Sequence, residues 1–220
     1  MINPCSTLQY YRTSLVYDDF TKQITFVICS FEGYHEIEVI LNSLLVQRIP
    51  NWNAIVLHDG YNKKFEDIVS KYTSVWKNII YLYSPTRESK WGHNLRNLAI
   101  QHIKTDWVVN TNDDNYYVPI FTEEISKAIK TNPDIIYYPC IHNHPRKDNS
   151  NGTDYGLFTP QLKRGFIDFG QFVIKTSDLQ QFKINENKPA ADGELVDNIV
   201  NKYGINIKAN YINKCLFVHN

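Results

Sequence analysis

The sequence predicts a single α/β domain built on a mainly parallel sheet with helices on both faces. Four apolar runs typical of buried strands begin near residues 24, 54, 79 and 107. Amphipathic helices are predicted between them, the clearest with Ile37, Ile40, Leu41, Leu44 and Leu45 on one side. Strands and helices alternating in this way indicate successive right-handed βαβ units, which produce a parallel sheet.

The first half of the chain follows this pattern. Residues 1–23 show no clear period and are expected to form an arm packed on the domain. The predicted strands are Ile24 to Cys29, Ala54 to His58, Ile79 to Tyr83 and Trp107 to Val109. Helices are predicted over 37–45, 65–72 and 95–102, so each strand is followed by a crossover to the next.

The second half, from residue 119, is less regular. Helices are predicted after Pro119 and Thr176 and over 192–203, with strands over 135–139, 165–174, 205–209 and 215–218. The polar stretch from Cys140 to Lys163 is predicted to be a long loop that covers the site. Because the chain ends so close to a strand, we expect it to be one domain of a longer protein.

Composition excludes several classes of protein. Lys plus Arg (23) balance Asp plus Glu (23), so no net field attracts nucleic acid or an anionic membrane. No apolar run approaches the roughly 20 residues that span a bilayer, and we expect a soluble, cytoplasmic protein. Four scattered cysteines without a CxxC pair argue against a zinc ribbon and a disulfide framework. Cys140, His142 and His144 alternate, but no fourth metal ligand is apparent.

Carboxylates follow two of the predicted strands. Asp59 comes after the second strand, and Asp113 and Asp114 come after the fourth. Ligands of parallel α/β sheets bind outside the carboxyl ends of the strands, where these acids would meet. Consecutive extended residues point to opposite faces, so Asp113 and Asp114 are expected to take different roles. The alternative, a solvated turn, stays open for each acid taken alone.

Five segments in order resemble a known family. They are ITFVICSFEGY, AIVLHDG, GHNLRNLAI, VVNTNDDNYY and ADGELVDNI, within roughly residues 24 to 204. Together they resemble the inverting family-2 glycosyltransferases of GT-A fold, including the bacterial spore-coat polysaccharide type with an Asp-Asp variant of the metal-binding motif. The chain departs from that pattern at Cys29, Glu32, His58 and Ala191.

The resemblance implies transfer of a sugar from a nucleotide diphosphate sugar, UDP or dTDP, to a hydroxyl of a glycan or another acceptor. Residues 24–118 would bind the nucleotide and residues 119–220 the acceptor. The nucleotide-binding candidates are Ser30, Phe31, Glu32, Asp59, Gly92, Arg96, Asn112 and Asp113. Asp59 would accept the N3 proton of uracil or thymine, and Asp113 would face the ribose or pair with Arg96.

The resemblance also implies a divalent cation and a general base. Asp114 would hold Mn2+ or Mg2+ against the diphosphate, with His219 as a second candidate ligand. Asp192 is the first candidate for the base and Glu194 the second. The structural alternatives are a helix N-cap for Asp192, a surface charge for Arg96 and a frayed terminal residue for His219.

Two other functions stay open on the sequence. A sugar nucleotidyltransferase would share the parallel sheet, although the first strand is not followed by a Gly-rich phosphate loop with Arg and Lys. A glycan-binding or nucleotide-binding domain that kept this fold without activity is the second alternative, and the departures at Glu32 and His58 leave room for it.

Overall fold

The computed structural model describes residues 23–145 and 153–220. Its strands are β1 (Ile24–Ser30), β2 (Trp52–His58), β3 (Ile79–Tyr83), β4 (Trp107–Asn112), β5 (Tyr116–Tyr117), β6 (Ile135–Tyr137), β7 (Cys140–Pro145), β8 (Thr153–Phe158), β9 (Phe172–Lys175), β10 (Ala209–Tyr211) and β11 (Phe217–His219). Its helices are α1 (Glu36–Leu45), α2 (Lys63–Thr73), α3 (His93–Ala99), α4 (Phe121–Ile129), α5 (Thr176–Phe182) and α6 (Ala191–Tyr203). The arm predicted for residues 1–23 lies outside the described residues, apart from Gln23.

The central sheet has seven strands in the order β10-β6-β9-β4-β1-β2-β3. Strands β1, β2, β3 and β4 are mutually parallel, which confirms the predicted α/β class. All seven residues of β1 are buried, because this strand lies in the middle of the sheet and is covered on both faces. Strand β9 is antiparallel to both β4 and β6, so the sheet is mainly rather than wholly parallel.

Two apolar cores lie on opposite faces of this sheet. Helices α1, α2 and α4 contribute Ile40, Phe65 and Phe121 to the first core, around Phe26 of β1. Helices α3, α5 and α6 contribute to the second core, which contains Val27 of the same strand. Successive side chains of β1 point to opposite faces of the sheet and so pack into the two cores in turn. The domain is a three-layer sandwich, with the sheet between two layers of helices.

The predicted loop from Cys140 to Lys163 is wrong in its first part. Strands β7 and β8 pair antiparallel there, with Cys140 opposite Phe158 and His142 opposite Gly156. They belong to a second, four-stranded sheet in the order β5-β11-β7-β8. This sheet places His219, at the end of β11, opposite His142 on β7.

Two further predictions in the second half need correction. The segment predicted as a strand over 165–174 forms a short 3-10 turn at Phe169–Gln171 and then strand β9. The predicted strand over 205–209 is a 3-10 turn at Gly204–Asn206, and strand β10 follows it. Gly204 ends α6 with a positive φ of 55°, a conformation that favours glycine and stops the helix as predicted.

Within the two described ranges, no helix combines the length and the hydrophobicity that crossing a bilayer requires.

Candidate active site

The carboxyl ends of three neighbouring strands form the edge on which the candidate site is built. In the parallel register Ser30 of β1 pairs with His58 of β2, and Cys29 of β1 pairs with Asn112 of β4. The loops that carry Asp59 and Asp113 therefore leave the same edge of the sheet, on either side of β1. The buried Cys29 thiol, whose pKa burial raises, interacts electrostatically with Asp113 and Asp59, which places these acids around one point.

Asp113 is held firmly at this edge. The Ser30 hydroxyl donates a short hydrogen bond to its carboxylate, and its backbone N–H donates to the Cys29 carbonyl at 3.1 Å. Gly33 packs directly on the carboxylate: a Cβ added there would lie 1.9 Å from Asp113 Oδ2. Burial, offset in part by the Ser30 hydrogen bond, raises the pKa of Asp113 to about 7.

Asp114 faces the second sheet. Burial raises the pKa of its carboxyl group, and the nearby His219 opposes that shift. Asn115 connects Asp114 to His219. In the amide orientation that satisfies the hydrogen bonds of its neighbours, its Nδ2 donates to His219 Nδ1 at 3.1 Å and to Asp114 Oδ1 at 3.2 Å. Asp113 and Asp114 thus have different surroundings, as expected from their alternation. His219 is packed in the structure, so the alternative of a frayed terminal histidine is wrong.

The residues around Asp114 fit a divalent cation shared with a ligand. Carboxylate oxygen and imidazole nitrogen suit Mn2+, and carboxylate oxygen suits Mg2+, which usually binds through one or two carboxylates together with substrate phosphates. Among residues 23–145 and 153–220, no group of three His, Cys, Asp or Glu side chains is placed to hold a metal ion. His142 stacks on His219 with ring centroids 4.3 Å apart, while the His144 side chain lies outside the described residues. A cation here would need donors from substrate or water.

Asp59 lies at the predicted edge but is already hydrogen-bonded to a neighbouring loop. Its Oδ1 accepts from the backbone N–H of Glu88 at 2.9 Å, and its Oδ2 accepts from that of Ser89 at 2.8 Å. The Ser84 hydroxyl also donates to Oδ1, at 3.3 Å. A carboxylate has about four lone-pair sites, so one site on Oδ2 stays available in this 6% exposed side chain. Asp59 therefore shapes the loop after β3 in addition to any contact with a ligand.

An aromatic face lies next to Asp59. Phe31 is 39% exposed, and the Arg87 guanidinium lies 3.6 Å from the centroid of its ring. The His58 ring lies 6.2 Å from Phe31, and its Nδ1 is hydrogen-bonded to the Gly60 carbonyl at 2.6 Å. Glu32 is exposed and has a φ of +59°, a left-handed conformation that Asn adopts more readily than Glu. Phe31 thus offers a flat surface for an aromatic ring.

Arg96 is a buried cation and not the surface helix charge considered as its alternative. It is 1% exposed, and its Nη2 donates to Asn112 Oδ1 at 2.5 Å. The predicted pairing with Asp113 is thus replaced by a hydrogen bond to the preceding amide, Asn112. Gly92 makes room for this arrangement, since a Cβ there would lie 3.0 Å from Arg96 Nη1 and 2.9 Å from Cys29 Cβ.

Asp192 lies in the first turn of α6. The N-cap of that helix is Ala190, so the structural alternative that Asp192 is the cap is wrong. Burial raises the pKa of Asp192 to about 6, and the nearby charge of Asp168 adds to this, whereas the Gly193 N–H and Arg96 lower it. A carboxylate with these properties can accept a proton near neutral pH.

Glu194 has a different environment, although it lies only two residues further on. Its oxygens accept from Asn185 at 3.0 Å and from Lys188 at 2.9 Å, and Arg164 lies 3.6 Å away. The hydrogen bonds from Asn185 and Lys188 lower the pKa of Glu194. A carboxylate paired in this way is a weak base, so the structure favours Asp192 over Glu194.

The structure adds Asp168, a residue that sequence reasoning missed. Its charge raises the pKa values of both Asp114 and Asp192, so it lies near both of these predicted functional acids. Its Oδ1 accepts from the Gly170 N–H at 2.8 Å, and its own N–H donates to Gln171 at 3.0 Å. Asp168 lies two residues before Gly170, inside the segment that the sequence predicted as a strand over 165–174, and no feature of that segment marked it as functional.

Comparison with solved structures supports this architecture. The chain is similar to S. aureus TarS 1-349, with a TM-score of 0.71 and 16% identity over 90% of this chain and 60% of that one. TarS 1-349 has also been solved in complex with UDP-GlcNAc, and the comparison with that structure gives the same TM-score of 0.71. At these identities the likeness shows a shared fold.

A second similar structure is the mannosyltransferase PcManGT from Pyrobaculum calidifontis in complex with GDP-Man and Mn2+. Its TM-score is 0.68 and its identity 13%, over 97% of this chain and 62% of that one. The chain therefore spans about 60% of the length of the solved structures described here.

Sequence comparison identifies the family. None of the curated proteins matches the chain significantly. The model of the family described as glycosyl transferase family 2 matches residues 25–186, a range that includes the strand ends and the acids Asp59, Asp113, Asp114 and Asp168. This match covers well over half of the 220 residues, and the chain therefore belongs to glycosyl transferase family 2.

Proposed function

We propose that this protein is a glycosyltransferase that moves a sugar from a nucleotide diphosphate sugar, a UDP-sugar or alternatively a dTDP-sugar, to a hydroxyl of a glycan acceptor. The transfer inverts the anomeric carbon and depends on Mn2+ or Mg2+. The observation that carries the proposal is Asp192, a carboxylate with a pKa of about 6 that shares the nearby charge of Asp168 with the candidate metal ligand Asp114. One base and one charge-neutralising site are what a single in-line displacement requires.

The reaction needs no covalent intermediate on the protein. Asp192 accepts the proton of the acceptor hydroxyl while that oxygen bonds to the anomeric carbon. The bond from the anomeric carbon to the diphosphate oxygen breaks, and the nucleoside diphosphate leaves with the electron pair. A divalent cation bound by Asp114, with His219 as the candidate second ligand, would neutralise the charge that develops on the diphosphate. Attack opposite the leaving group gives inversion.

The nucleotide half of the proposal, residues 24–118, uses the edge of β1 and β2. Phe31 would stack on the base with the ring face opposite Arg87, whose guanidinium lies over the other face, 3.6 Å from the ring centroid. Asp59 would accept the N3 proton of uracil or thymine with its remaining lone pair. Cytosine lacks that proton, so the contact would select against it. Residues 119–220 would then bind the acceptor around Asp168 and Asp192.

A panel of nucleotide sugars tests the proposal. Thermal stability and donor hydrolysis are measured for UDP-, dTDP- and GDP-sugars with and without Mn2+, and NMR of the product gives its anomeric configuration. We expect stabilisation and turnover with a uracil or thymine donor only when Mn2+ is present, and an inverted product. Retention at the anomeric carbon would overturn the mechanism. Release of pyrophosphate from UTP and a sugar phosphate would instead support a nucleotidyltransferase.

Replacing Gly33 with Ala should weaken nucleotide binding. The added Cβ would lie 1.9 Å from Asp113 Oδ2, so either the carboxylate or the loop after β1 must move. We expect the Kd for UDP in the presence of Mn2+, measured by calorimetry, to rise about tenfold, which corresponds to about 1.4 kcal/mol. His35→Ala is the matched control, because this exposed neighbour makes no side-chain capping bond. Equal affinities for both variants would contradict a role for Asp113 in nucleotide binding.

A further inference from the structure

The segment from Ile184 to Ala190 connects α5 to α6 and leads directly to Asp192. The N-cap residue of α6 is Ala190, which makes no side-chain capping bond. The position of the first helical turn, and of Asp192 in it, therefore depends on what holds the preceding segment. Two residues of α3 do this, although they lie about 90 positions earlier in the chain.

Asn97 of α3 holds the start of the segment. Its Oδ1 accepts from the Ile184 N–H at 2.9 Å, and its Nδ2 donates to the Ile184 carbonyl at 2.8 Å. The same amide donates to Glu186 Oε1 at 2.9 Å. A side chain that satisfies both backbone groups of one residue fixes the path of the chain at that point.

His93 of α3 holds the end of the segment, four residues before Asp192. Its Nε2 lies 3.0 Å from the Lys188 carbonyl oxygen, which can only accept, so Nε2 carries the proton. Burial and the Arg96 charge lower the pKa of His93 to about 4, and the ring is therefore neutral at physiological pH. Its Nδ1 can then accept from Arg96 Nη1, at 3.5 Å.

Arg96 extends this contact to the strand that carries the acids Asp113 and Asp114. Its Nη2 donates to Asn112 Oδ1 at 2.5 Å, and its Nη1 donates to the Trp91 carbonyl at 2.8 Å. A continuous set of hydrogen bonds thus runs from Asn112 through Arg96 and His93 to Lys188. With His93 only 3% exposed, water does not compete for these bonds.

We propose that His93 is a positioning residue for the base: its Nε2–H bond to the Lys188 carbonyl holds Asp192 at the acceptor hydroxyl. The inference rests on the proposed role of Asp192 as general base. His93 does not itself touch the substrate. Loss of the His93 hydrogen bond moves the Asp192 carboxylate relative to the reacting atoms and admits water to that carboxylate. Displacements of about 1 Å in an active site lower rates by about 100-fold.

The test compares His93→Phe, which removes the donor, with His93→Gln, whose Nε2 can reach the same carbonyl. We expect His93→Phe to lower kcat about 10- to 100-fold and to leave the Kd for UDP unchanged. The fall of kcat at low pH (its acid limb) should move below pH 6, because water that reaches Asp192 lowers the pKa of its carboxyl group. His93→Gln should recover most of kcat and restore the limb. His102→Phe is the matched control, since this half-buried histidine belongs to the 3-10 turn after α3 and is expected to leave kcat within about twofold of wild type.

The outcomes separate this inference from the function on which it rests. If Asp192→Asn is inactive while His93→Phe keeps the wild-type kcat and acid limb, the positioning role is wrong and the base assignment stands. Equal impairment of His93→Gln and His93→Phe would also overturn it, because the N–H donor would then not matter. Full activity of Asp192→Asn would refute the base itself. Melting temperatures of all variants show whether a lower kcat reflects unfolding.

Discussion

Asp192→Asn is expected to abolish sugar transfer while leaving nucleotide binding intact. Asn has the shape of Asp but cannot accept the proton of the acceptor hydroxyl, and general-base catalysis contributes about 10²- to 10⁴-fold to enzymatic rates. Asp192 lies near Asp168 and Arg96, and neither the nucleotide nor the metal ion is proposed to contact it. We therefore expect kcat to fall by about this factor, with the Kd for UDP unchanged.

The same residue predicts how the rate depends on pH. A base must be deprotonated to act, so activity falls as pH drops below its pKa. Burial has raised the pKa of Asp192 from its ordinary value of 3.8 to about 6. The acid limb of kcat/KM should therefore lie near pH 6, about two units higher than for an exposed Asp, and below it the rate should fall about tenfold per pH unit.

Asp197→Asn is the matched control for Asp192→Asn. Asp197 lies on the same helix and pairs with Arg164 at 3.4 Å on the partly exposed side. Its neutralisation should change stability by at most about 1 kcal/mol and leave the pH profile as in wild type. If Asp192→Asn retained full transfer activity, the base would have to be another group, with Asp168 the next candidate.

Asp114→Ala is expected to abolish metal-dependent binding of UDP. The carboxylate of Asp114 is the proposed metal ligand, and its partners Asn115 and His219 cannot replace an anionic oxygen. Calorimetric titration of UDP into the variant in the presence of Mn2+ should show at least about a 100-fold loss of affinity, or about 2.7 kcal/mol. Removal of the metal from the wild-type protein with EDTA should give the same loss.

Asp106→Ala tests whether this effect is local. Asp106 is an exposed residue immediately before β4, at the opposite end of the strand from Asp114. The Asp106→Ala variant should bind UDP as the wild-type protein does, with and without Mn2+. If Asp114→Ala bound UDP as tightly as Asp106→Ala and responded equally to Mn2+, the metal would not be held at Asp114.

Much of the parallel sheet could be predicted because its signals are local. The predicted strand Ile79 to Tyr83 matches β3 to the residue, and Ile24 to Cys29 is one residue shorter than β1. Both are apolar runs between polar segments. The central strand β1 is buried throughout, whereas the edge strand β3 buries only Ile79. The fourth strand was underestimated: it continues through Asn110, Thr111 and Asn112, polar residues that β1 pairs into the sheet.

The second sheet could not be predicted in the same way. The segment from Cys140 to Phe158 carries polar residues and lacks a clear apolar period, so the sequence predicted a loop. Strand β7 is nevertheless stabilised between β8 and β11, and β11 lies more than 70 residues away in the chain. Strand propensity depends on such cross-strand partners more than on the residues themselves.

Some residues of the candidate site could likewise be placed from the sequence, and others only from the tertiary structure. Ser30, Asp59 and Asp113 could be placed at one edge because parallel strands end together. Arg96 lies on a helix whose exposed and buried faces the sequence did not resolve, and its contact with Asn112 follows only from the packing of α3 on the sheet, against β1 and β2. Asp168 was missed because it lay within a segment predicted as a strand, and its nearness to Asp114 and Asp192 appears only in the folded chain.

The sequence by itself determined the α/β class, the four successive parallel strands of the first half and the gathering of acids at their carboxyl ends. These follow from short-range periodicity and from the handedness of βαβ units. Only the tertiary structure decided that Asp192 has a raised pKa while Glu194, two residues away, is paired with Lys188. A carboxylate acquires its pKa from burial and from charges such as Asp168 and Arg96, which folding brings close from distant parts of the chain.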